Sequence, residues 1–356
     1  DNAGGGSIVW EWHIWDHLIQ DHSPARDNYG VVADHPELVD LNFLNNPLRS
    51  IADWNHTNAI NYNDSLDQIV FSGHQMCEIY VIDHSTTTAE AAGHTGGNNG
   101  HGGDILYRWG NPRAYRAGDA SEQRLFGQHD AEWIASGLPG GGDLLVFNNG
   151  FNRPEGAYSS VVELTPPLGA NGTYDRASGT AFGPTDYTYT YTAPVKTDFY
   201  SVNVSGAQRL PNGNTFVCEG AKGRLFEVTG AGEVVWEYIS PVVGRGPLTQ
   251  GDPIPVRVPG VLRNVLFNSF RYAPDYPGLD GRDLTPGAPI ELYPTSTVPG
   301  SQVQRALAET RNAAPGTHHD LCGRRLGRCM DGTTGAMVTV HARGGRTALQ
   351  LHLTNR

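Results

Sequence analysis

Short motifs that combine histidine with an amide side chain stand at three places in the sequence. "NHTNAI" contains His56 and Asn58, "FSGHQ" contains His74, and "GQHDAEW" contains Gln128 and His129. An imidazole, with a reference pKa of about 6.5, can act as a nucleophile, an acid or a base near neutral pH. Imidazoles and carboxamides that converge in a concave site bind oxyanions or carry out group transfer. His129 could instead serve in packing or in metal binding. The elements around it must distinguish between these three roles.

Other histidines fall into two groups that invite a metal interpretation. One group lies in the loop 83–104, "DHSTTTAEAAGHTGGNNGHGGD", and the other lies in "WEWHIWDHLIQDH". The members are His84, His94 and His101 in the loop, and His13, His17 and His22 in the second stretch. The Gly/Asn composition of the loop favours a flexible connection that overhangs a channel mouth. No carboxylate-rich ligand set accompanies the second group, which favours packing, so we expect no metal site and no cofactor.

The composition indicates a chain of many short strands. The 356 residues include 45 Gly and 23 Pro, and only 17% are charged, which suits turn-rich β-structure better than long helices. The net charge of −12 argues against nucleic-acid binding, which requires a basic surface. No apolar run reaches the roughly 18 residues of a membrane span. No signal peptide is visible, and a start at Asp1 is compatible with a mature or trimmed end.

A recurring pattern of short strands divides the sequence into units. A polar motif, a β-like run, a turn, a second strand and an aromatic-rich strand recur at about 53–112, 127–194 and 198–241. Repeats of roughly 40–70 residues with about four strands each are typical of a β-propeller. Residues 1–52 and 242–294 are expected to form partial blades. "SIVWEWH" near the start matches the closing strand "EVVWEYI", which suggests that the earlier strands of a first blade are missing.

Beyond the third unit the pattern fades. Residues 295–356 form no recognisable blade, although "GAMVTVHARGGRTALQLHLTNR" could pair as a hairpin. Cys77 and Cys218 lie in strand-like runs, where buried free thiols are expected. Cys322 and Cys329 flank "GRRLGR", and a disulfide between them stays open.

The propeller hypothesis brings the histidine motifs together. The innermost strands of a propeller surround its central channel, so residues at the entrances of those strands converge. His56, Asn58 and His129 are therefore predicted to approach one another from neighbouring blades. His74 is placed on the next strand of the first complete unit.

The motifs "DWNHTNAI", "FSGHQ" and "GQHDAEW…LLVFNNGFNR" resemble the bacterial arylsulfate sulfotransferases of the PAPS-independent type, over roughly residues 8–290. The resemblance implies a six-bladed β-propeller in a periplasmic or secreted protein. It implies that His129 is the nucleophile that takes the sulfuryl group from an aryl sulfate. His56 and Asn58 are then expected to hold the sulfuryl oxygens and to assist the leaving phenolate. A phenol would take the group in a second, ping-pong step, and a protonated His56 or His74 would serve as the acid.

Two features depart from the family pattern. Family members carry an arginine where "FSGHQ" has Gly73, and a charge-assisted donor contributes about 1.5–3 kcal/mol. A further family histidine belongs to a blade that precedes this sequence. Arg153 or Arg113 is expected to bind the substrate in place of the arginine. Gln128 or Asp130 is expected to fix the tautomer of His129.

A second function remains open at this point. A non-catalytic secreted propeller that binds a glycan, a polyanion or a protein is favoured by Gly73 and by the missing strands. The enzyme is favoured by the intact motifs at His56, Asn58, Gln128 and His129. Its partners would be a small aryl sulfate and a phenol, and an oligomer is possible.

Overall fold

The structure is a computed structural model that describes residues 6–44, 53–170 and 172–294, and the backbone of four strands between residues 318 and 354. The chain forms two compact units. The first comprises Asp1–Trp133, Gly142–Asn148 and Val162–Thr190, and the second comprises Ile134–Gly141, Asn149–Val161 and Tyr191–Arg356. The candidate disulfide between Cys322 and Cys329 lies outside the described residues.

The first unit opens with irregular chain. Residues 7–13, which were expected to end a blade, carry no strand. A 3₁₀ turn at Ile14–His17 follows, and two short strands, β1 (Leu18–Ile19) and β2 (Val39–Asp40), then pair in parallel. Further 3₁₀ turns of this unit lie at Val32–Asp34, Pro112–Tyr115 and Ala120–Glu122.

Two antiparallel sheets follow, each with its strands in sequence order. The first consists of β3 (Thr57–Asn63), β4 (Gln68–Gly73), β5 (Glu78–Asp83) and β6 (Ile105–Trp109). A short helix, α1 (Thr88–Ala91), lies between β5 and β6. The second sheet consists of β7 (His129–Trp133), β8 (Leu144–Asn148), β9 (Ser160–Leu164) and β10 (Tyr189–Tyr191).

The second unit contains a third sheet of the same kind. Its strands are β11 (Gly206–Arg209), β12 (Thr215–Glu219), β13 (Arg224–Val228) and β14 (Val234–Ile239). Two-stranded pairs follow: β15 (Val242–Val243) with β16 (Gly246–Pro247), and β17 (Val256–Val258) with β18 (Val261–Leu262). The 3₁₀ turns of this unit lie at Lys196–Asp198, Gly220–Lys222 and Pro277–Leu279.

The last strands of the second unit pair in two further groups. β19 (Asn268–Tyr272) pairs with β22 (Gly335–Arg343), which pairs with β23 (Arg346–Thr354). β20 (His318–His319) pairs with β21 (Arg325–Leu326). The hairpin considered for "GAMVTVHARGGRTALQLHLTNR" is thus present as β22 and β23.

The sheets form where apolar and β-branched residues run between turn signals. β4 and β5, "QIVFSG" and "EIYVID", are buried at every position. The core of the first unit consists mainly of their apolar side chains and those of β6 and β8, including Val70, Ile79, Val81, Tyr107 and Val146. Cys77 and Cys218 are both free thiols, the first half-buried and the second buried. Among the described residues, no helix is long and apolar enough to cross a membrane.

The all-β fold class predicted from the sequence is confirmed. Three four-stranded antiparallel sheets with sequential strand order are the form of propeller blades. They lie within the three repeat units read from the sequence, although the domain boundaries stay predictions. The closure of the blades into a ring and the number six also stay predictions.

Candidate active site

The site lies where the first strands of the first two sheets, β3 and β7, run side by side in the first unit. Asn58 Nδ2 donates a hydrogen bond of 2.8 Å to the carbonyl oxygen of Gln128. Further along the same strands, the backbone N–H of Trp133 donates to Asn61 Oδ1 at 3.1 Å. These bonds join neighbouring sheets directly, so the His-x-Asn and Gln-His motifs meet although they are far apart in sequence.

Both strands are irregular at the motif. The register of β3 against β4 shifts between Thr57 and Ala59, and that of β7 against β8 shifts between His129 and Glu132. Such β-bulges bend a strand and redirect its side chains, and they are common next to active sites. The backbone of His56 (φ 49°) and that of Asp130 (φ 52°) lie in the left-handed region, which costs about 1–3 kcal/mol for a residue with a side chain.

Three imidazoles form a row across this entrance. The ring centroids of His56 and His74 are 5.2 Å apart, and those of His74 and His129 are 5.1 Å apart. His56 is exposed, His74 is half-buried, and His129 is only 5% exposed. The row therefore runs from solvent into the protein and ends at the histidine predicted to react.

The outer imidazole has an acidic partner. Nδ1 of His56 lies in very close contact with a carboxylate oxygen of Asp53, three residues earlier in the chain. A carboxylate accepts only, so Nδ1 of His56 carries a proton, and Nε2 is the atom free to gain or lose one. Asp53 was not identified from the sequence, although the spacing Asp-x-x-His was a possible signal.

The middle imidazole is neutral. Burial lowers the pKa of His74, the nearby His56 lowers it further, and hydrogen bonds to the backbone of Gln128 and Gly127 oppose the change. The Nδ1 atom of His74 is buried and has no hydrogen-bond partner among the described residues. A buried polar atom without a partner is costly, and a bound ligand could supply one.

Gln128 is a fully buried anchor between the two sheets. Its Nε2 donates to the carbonyl oxygen of Glu78 at 2.8 Å, to Ser72 Oγ at 3.0 Å and to the carbonyl oxygen of Gly73 at 3.3 Å. These acceptors belong to β4 and β5, so the amide nitrogen holds β7 against the first sheet. Its Oε1 is buried and has no hydrogen-bond partner within the described part of the chain.

A buried ion pair lies beneath this anchor. Arg108 on β6 and Glu78 on β5 are both fully buried, and Arg108 Nε donates to Glu78 Oε1 at 2.9 Å while Nη2 contacts Oε2. Arg108 Nη1 also donates to the carbonyl oxygens of Leu38 at 2.8 Å and Pro36 at 3.2 Å. This arginine is therefore used for structure and does not supply the missing cation of the site.

Gly73 leaves no room for a side chain. A Cβ atom there would lie 2.6 Å from Asn55 Oδ1 and 2.8 Å from Cε2 of Tyr80. Of the arginines proposed as replacements, Arg113 is exposed and stands over the ring of Phe43, 5.8 Å from its centroid. The packing around residue 73 thus requires a glycine at this position.

Arg153, the other candidate for binding the substrate, belongs to the second unit. Its guanidinium lies 4.3 Å from the ring centroid of Tyr158, and Nη2 donates to Ser160 Oγ at 3.2 Å. Its predicted role at the site stays a prediction.

Two acidic residues of β7 adjoin the nucleophile candidate. Burial raises the pKa of the Glu132 carboxyl well above its usual range, and the negative charge of Asp130 raises it further. Both residues follow His129 within the bulged segment. Glu132 was not identified from the sequence, because its burial depends on the bulge.

The arrangement can perform nucleophilic group transfer. A buried imidazole at the inner end, a neutral imidazole beside it and an exposed imidazole with a carboxylate partner provide a nucleophile, a hydrogen-bonding group and a proton carrier. The ring contacts connect all three within one compact unit.

Blades of this form, with imidazoles at their strand entrances, define a propeller-type protein. The chain belongs to the arylsulfotransferase (ASST) family, whose model matches residues 2–235. The match includes every motif from which the site is built. The resemblance noted from the sequence is thereby confirmed at the level of the family.

The solved structures that match parts of the chain share little sequence with it. Virginiamycin B lyase from Staphylococcus aureus is 11% identical, covers 62% of this chain over 61% of its own length, and gives a TM-score of 0.29. A streptogramin B lyase is 16% identical (55% and 57% covered, TM-score 0.26). A Bacteroides caccae protein of unknown function is 12% identical (51% and 45% covered, TM-score 0.28). The chain thus spans about half the length of these structures, and a comparison with curated proteins gave no match.

Proposed function

We propose that this protein transfers a sulfuryl group from an aryl sulfate to a phenolic acceptor through a sulfohistidine at His129. The observation that carries the proposal is the row of imidazoles that ends at His129. Membership of the arylsulfotransferase family supports the reaction class. The aryl donor, the phenolic acceptor and the covalent intermediate are parts of the proposal.

His129 suits the role of nucleophile. A neutral imidazole attacks without a separate base, and burial keeps water away from the sulfur atom. A ring nitrogen of His129 attacks the sulfur, and the bond between sulfur and the aryl oxygen breaks. The acceptor then attacks the same sulfur, the bond between sulfur and nitrogen breaks, and His129 returns to its starting form.

His56 is the better candidate for the acid that assists the leaving phenolate. The lowered pKa of His74 leaves that ring neutral at pH 7, so it is a poor proton source. The Asp53 carboxylate lies against Nδ1 of His56, so Nε2 is the ring atom that can pass a proton to the leaving phenolate. His56 gives its proton to the phenolate in the first step and takes the proton of the acceptor hydroxyl in the second.

Neutral donors replace the missing arginine. The amide nitrogen of Asn58 has two N–H groups, of which one bonds to the carbonyl oxygen of Gln128. The second N–H is available for a sulfuryl oxygen. A loose transition state for sulfuryl transfer, by analogy with phosphoryl transfer, relies mainly on such placed donors.

The test is a phenol-dependent assay with two donors of different leaving-group acidity. The full chain should release 4-nitrophenolate from 4-nitrophenyl sulfate when phenol is present, and should release 4-methylphenol from 4-methylphenyl sulfate more slowly. His129→Ala should lower kcat/KM by at least about 10³-fold for both donors. His56→Gln should lower it by about 10²–10⁴-fold for 4-methylphenyl sulfate, and less for the better leaving group.

His84→Gln is the matched control, because His84 also contacts a carboxylate, that of Asp67 at 2.7 Å, but lies outside the row. It should behave as the wild type. Equal rates for the wild type and His129→Ala would contradict the proposal. Binding of 4-nitrophenyl sulfate without transfer would instead support the alternative, a non-catalytic binding module.

A further inference from the structure

We propose that His17, His94 and Asp104 form a binding site for a divalent cation of the zinc type, separate from the row of imidazoles. The site joins the segment before the first sheet to the loop between β5 and β6. One ligand atom from each of the three residues lies within 4.8 Å of the other two. The proposal does not depend on the proposed transferase function.

The three atoms converge closely. Nδ1 of His17 lies 2.8 Å from Asp104 Oδ1, and Nδ1 of His94 lies 2.7 Å from the same oxygen. The two imidazole planes are nearly perpendicular, with ring centroids 5.9 Å apart. Ligands of tetrahedral zinc are about 3.3 Å apart, given bond lengths of 2.0–2.1 Å. Each N···O distance therefore needs to lengthen by only about half an ångström to admit the ion.

The hydrogen bonds of His17 leave its Nδ1 in the form that binds metal. Its Nε2 lies 2.8 Å from the carbonyl oxygen of Ala91, which can only accept, so Nε2 carries the proton of the neutral ring. Nδ1 then presents a lone pair to a carboxylate oxygen, which is also an acceptor. A cation shared by the two atoms removes this conflict. A bond from the second ring nitrogen to a backbone carbonyl is typical of metal-ligating histidines.

The surroundings hold two of the ligands rigidly. The side chain of His17 is fully buried and that of Asp104 is 6% exposed, whereas that of His94 is 59% exposed. The ring of Trp12 stacks on that of His17, with centroids 5.3 Å apart and planes 1° apart, and Trp12 Nε1 donates to the carbonyl oxygen of Gly103 at 2.7 Å. The exposed side of His94 leaves room for solvent as a fourth ligand.

The loop itself is shaped around the cluster. A Cβ atom on Gly103 would lie 2.0 Å from the carbonyl oxygen of Ala91 and 2.7 Å from His17 Nε2. Asp83 Oδ2 accepts from the backbone N–H of Asn99 at 3.0 Å and from its side chain at 2.9 Å. The segment expected to be a flexible connection is thus tied down at several points. A cation there would fasten residues that are 87 positions apart in sequence.

The donor set selects the kind of ion. Two imidazole nitrogens and one carboxylate oxygen suit Zn²⁺ and its spectroscopic substitute Co²⁺ better than Mg²⁺ or Ca²⁺, which prefer oxygen ligands. His84 and His101 lie in the same loop but do not belong to the cluster. His84 instead contacts Asp67.

The test is metal titration of the full chain after treatment with a chelator. The wild type should bind one equivalent of Co²⁺ and then show the visible absorption bands of Co²⁺ in a four-coordinate site. Zn²⁺ should displace the Co²⁺ and raise the Tm. His94→Ala should weaken Zn²⁺ binding by at least about 100-fold, because removing a ligand costs more than removing its supporting partner. Since His94 is exposed, near-ultraviolet circular dichroism should show an unchanged fold.

Two controls separate this site from other histidines. His101→Ala changes an exposed histidine of the same loop, and His74→Ala interrupts the row of imidazoles. Both variants should keep the stoichiometry, the affinity and the rise in Tm. An unchanged Tm and no Co²⁺ bands in the wild type would overturn the proposal and leave only hydrogen bonds between these side chains. Equal metal binding by His94→Ala would overturn it as well.

Discussion

The identity of residue 73 changes how an anion is held at this site. A fixed arginine would place a full charge beside the sulfuryl group, whereas Gly73 places only backbone there. The carbonyl oxygen of Gly73 already accepts a hydrogen bond from Gln128, and Asn55 and Tyr80 occupy the space that a side chain needs. In the proposed reaction an uncharged N–H group of Asn58 therefore takes the place of a charged donor.

Adding a methyl group at residue 73 should destabilise the protein. In Gly73→Ala the new Cβ would lie 2.6 Å from Asn55 Oδ1 and 2.8 Å from the Tyr80 ring, and such overpacking costs about 1–3 kcal/mol. Urea unfolding measures the change. Gly230→Ala is the control, because no atom lies within 4 Å of the new Cβ. A Gly73→Ala variant as stable as the wild type would show that the pocket can open to admit the family arginine.

The Glu132 carboxyl should make stability depend on pH. Its pKa is raised in the folded protein by burial and by Asp130, so the folded state binds its proton more tightly than the unfolded state does. The wild type therefore loses stability as the pH rises above the ordinary glutamate pKa of about 4.3, by at most about 1.4 kcal/mol per pH unit. Glu132→Gln cannot ionise and should not show this loss.

The measurement is the difference in unfolding free energy between Glu132→Gln and the wild type from pH 4 upwards. The difference should be small near pH 4 and should grow in favour of the variant towards neutral pH. Glu155→Gln, which changes an exposed carboxyl, is the control for the substitution itself. A difference that stays constant with pH would contradict the account.

At the scale of elements, two bulged strands create the site. The motifs at His56, Asn58, His74 and His129 were recognised from the sequence, and the structure brings these side chains together. Their convergence followed from the repeat, because equivalent strand entrances meet in neighbouring blades. The bulges, the contact of Asp53 with His56 and the burial of Glu132 were not predictable, since they depend on register and on atoms of other strands.

The grouping of the histidines in the loop between β5 and β6 could not be predicted from the sequence either. From the sequence, His94 was grouped with His84 and His101, which are its neighbours along the chain. In the structure its partners are His17 and Asp104, and His17 comes from a segment that precedes the sheet. No periodicity relates these positions, so only the folded chain reveals the group.

The ion pair that joins β5 and β6 should be essential for stability. Arg108→Met would leave the Glu78 carboxylate buried without its partner, at a cost of about 3–5 kcal/mol. Burial already raises the pKa of Glu78, and Arg108 opposes this change. Adding Glu78→Gln should recover part of the loss, because neighbouring substitutions are not additive.

Chemical unfolding of both single variants and the double variant measures this coupling. Arg113→Met, which alters an exposed arginine, should change stability by no more than about 0.5 kcal/mol. Losses that simply add in the double variant would show that the two side chains act independently. The support for the anchor at Gln128 would then not come from this ion pair.

At the scale of the whole molecule, the four-stranded sheets and their order were predictable, because turn signals and apolar runs repeat along the chain. The opening residues 7–13 were expected to resemble a closing strand, yet they carry none. Trp10 and Trp12 of that stretch instead bond to Thr86 Oγ1 and to the carbonyl oxygen of Gly103, at 3.2 and 2.7 Å. The opening segment therefore packs through its side chains against the loop between β5 and β6.

The central claim is that His129 carries the sulfuryl group. The most direct measurement is peptide mass spectrometry of the full chain after incubation with 4-nitrophenyl sulfate and no acceptor. We predict one added sulfuryl group on the peptide that contains His129, removal of that group when phenol is added, and no such adduct in His129→Ala. An adduct on another residue that persists in His129→Ala, or acceptor-dependent turnover by that variant, would contradict the account.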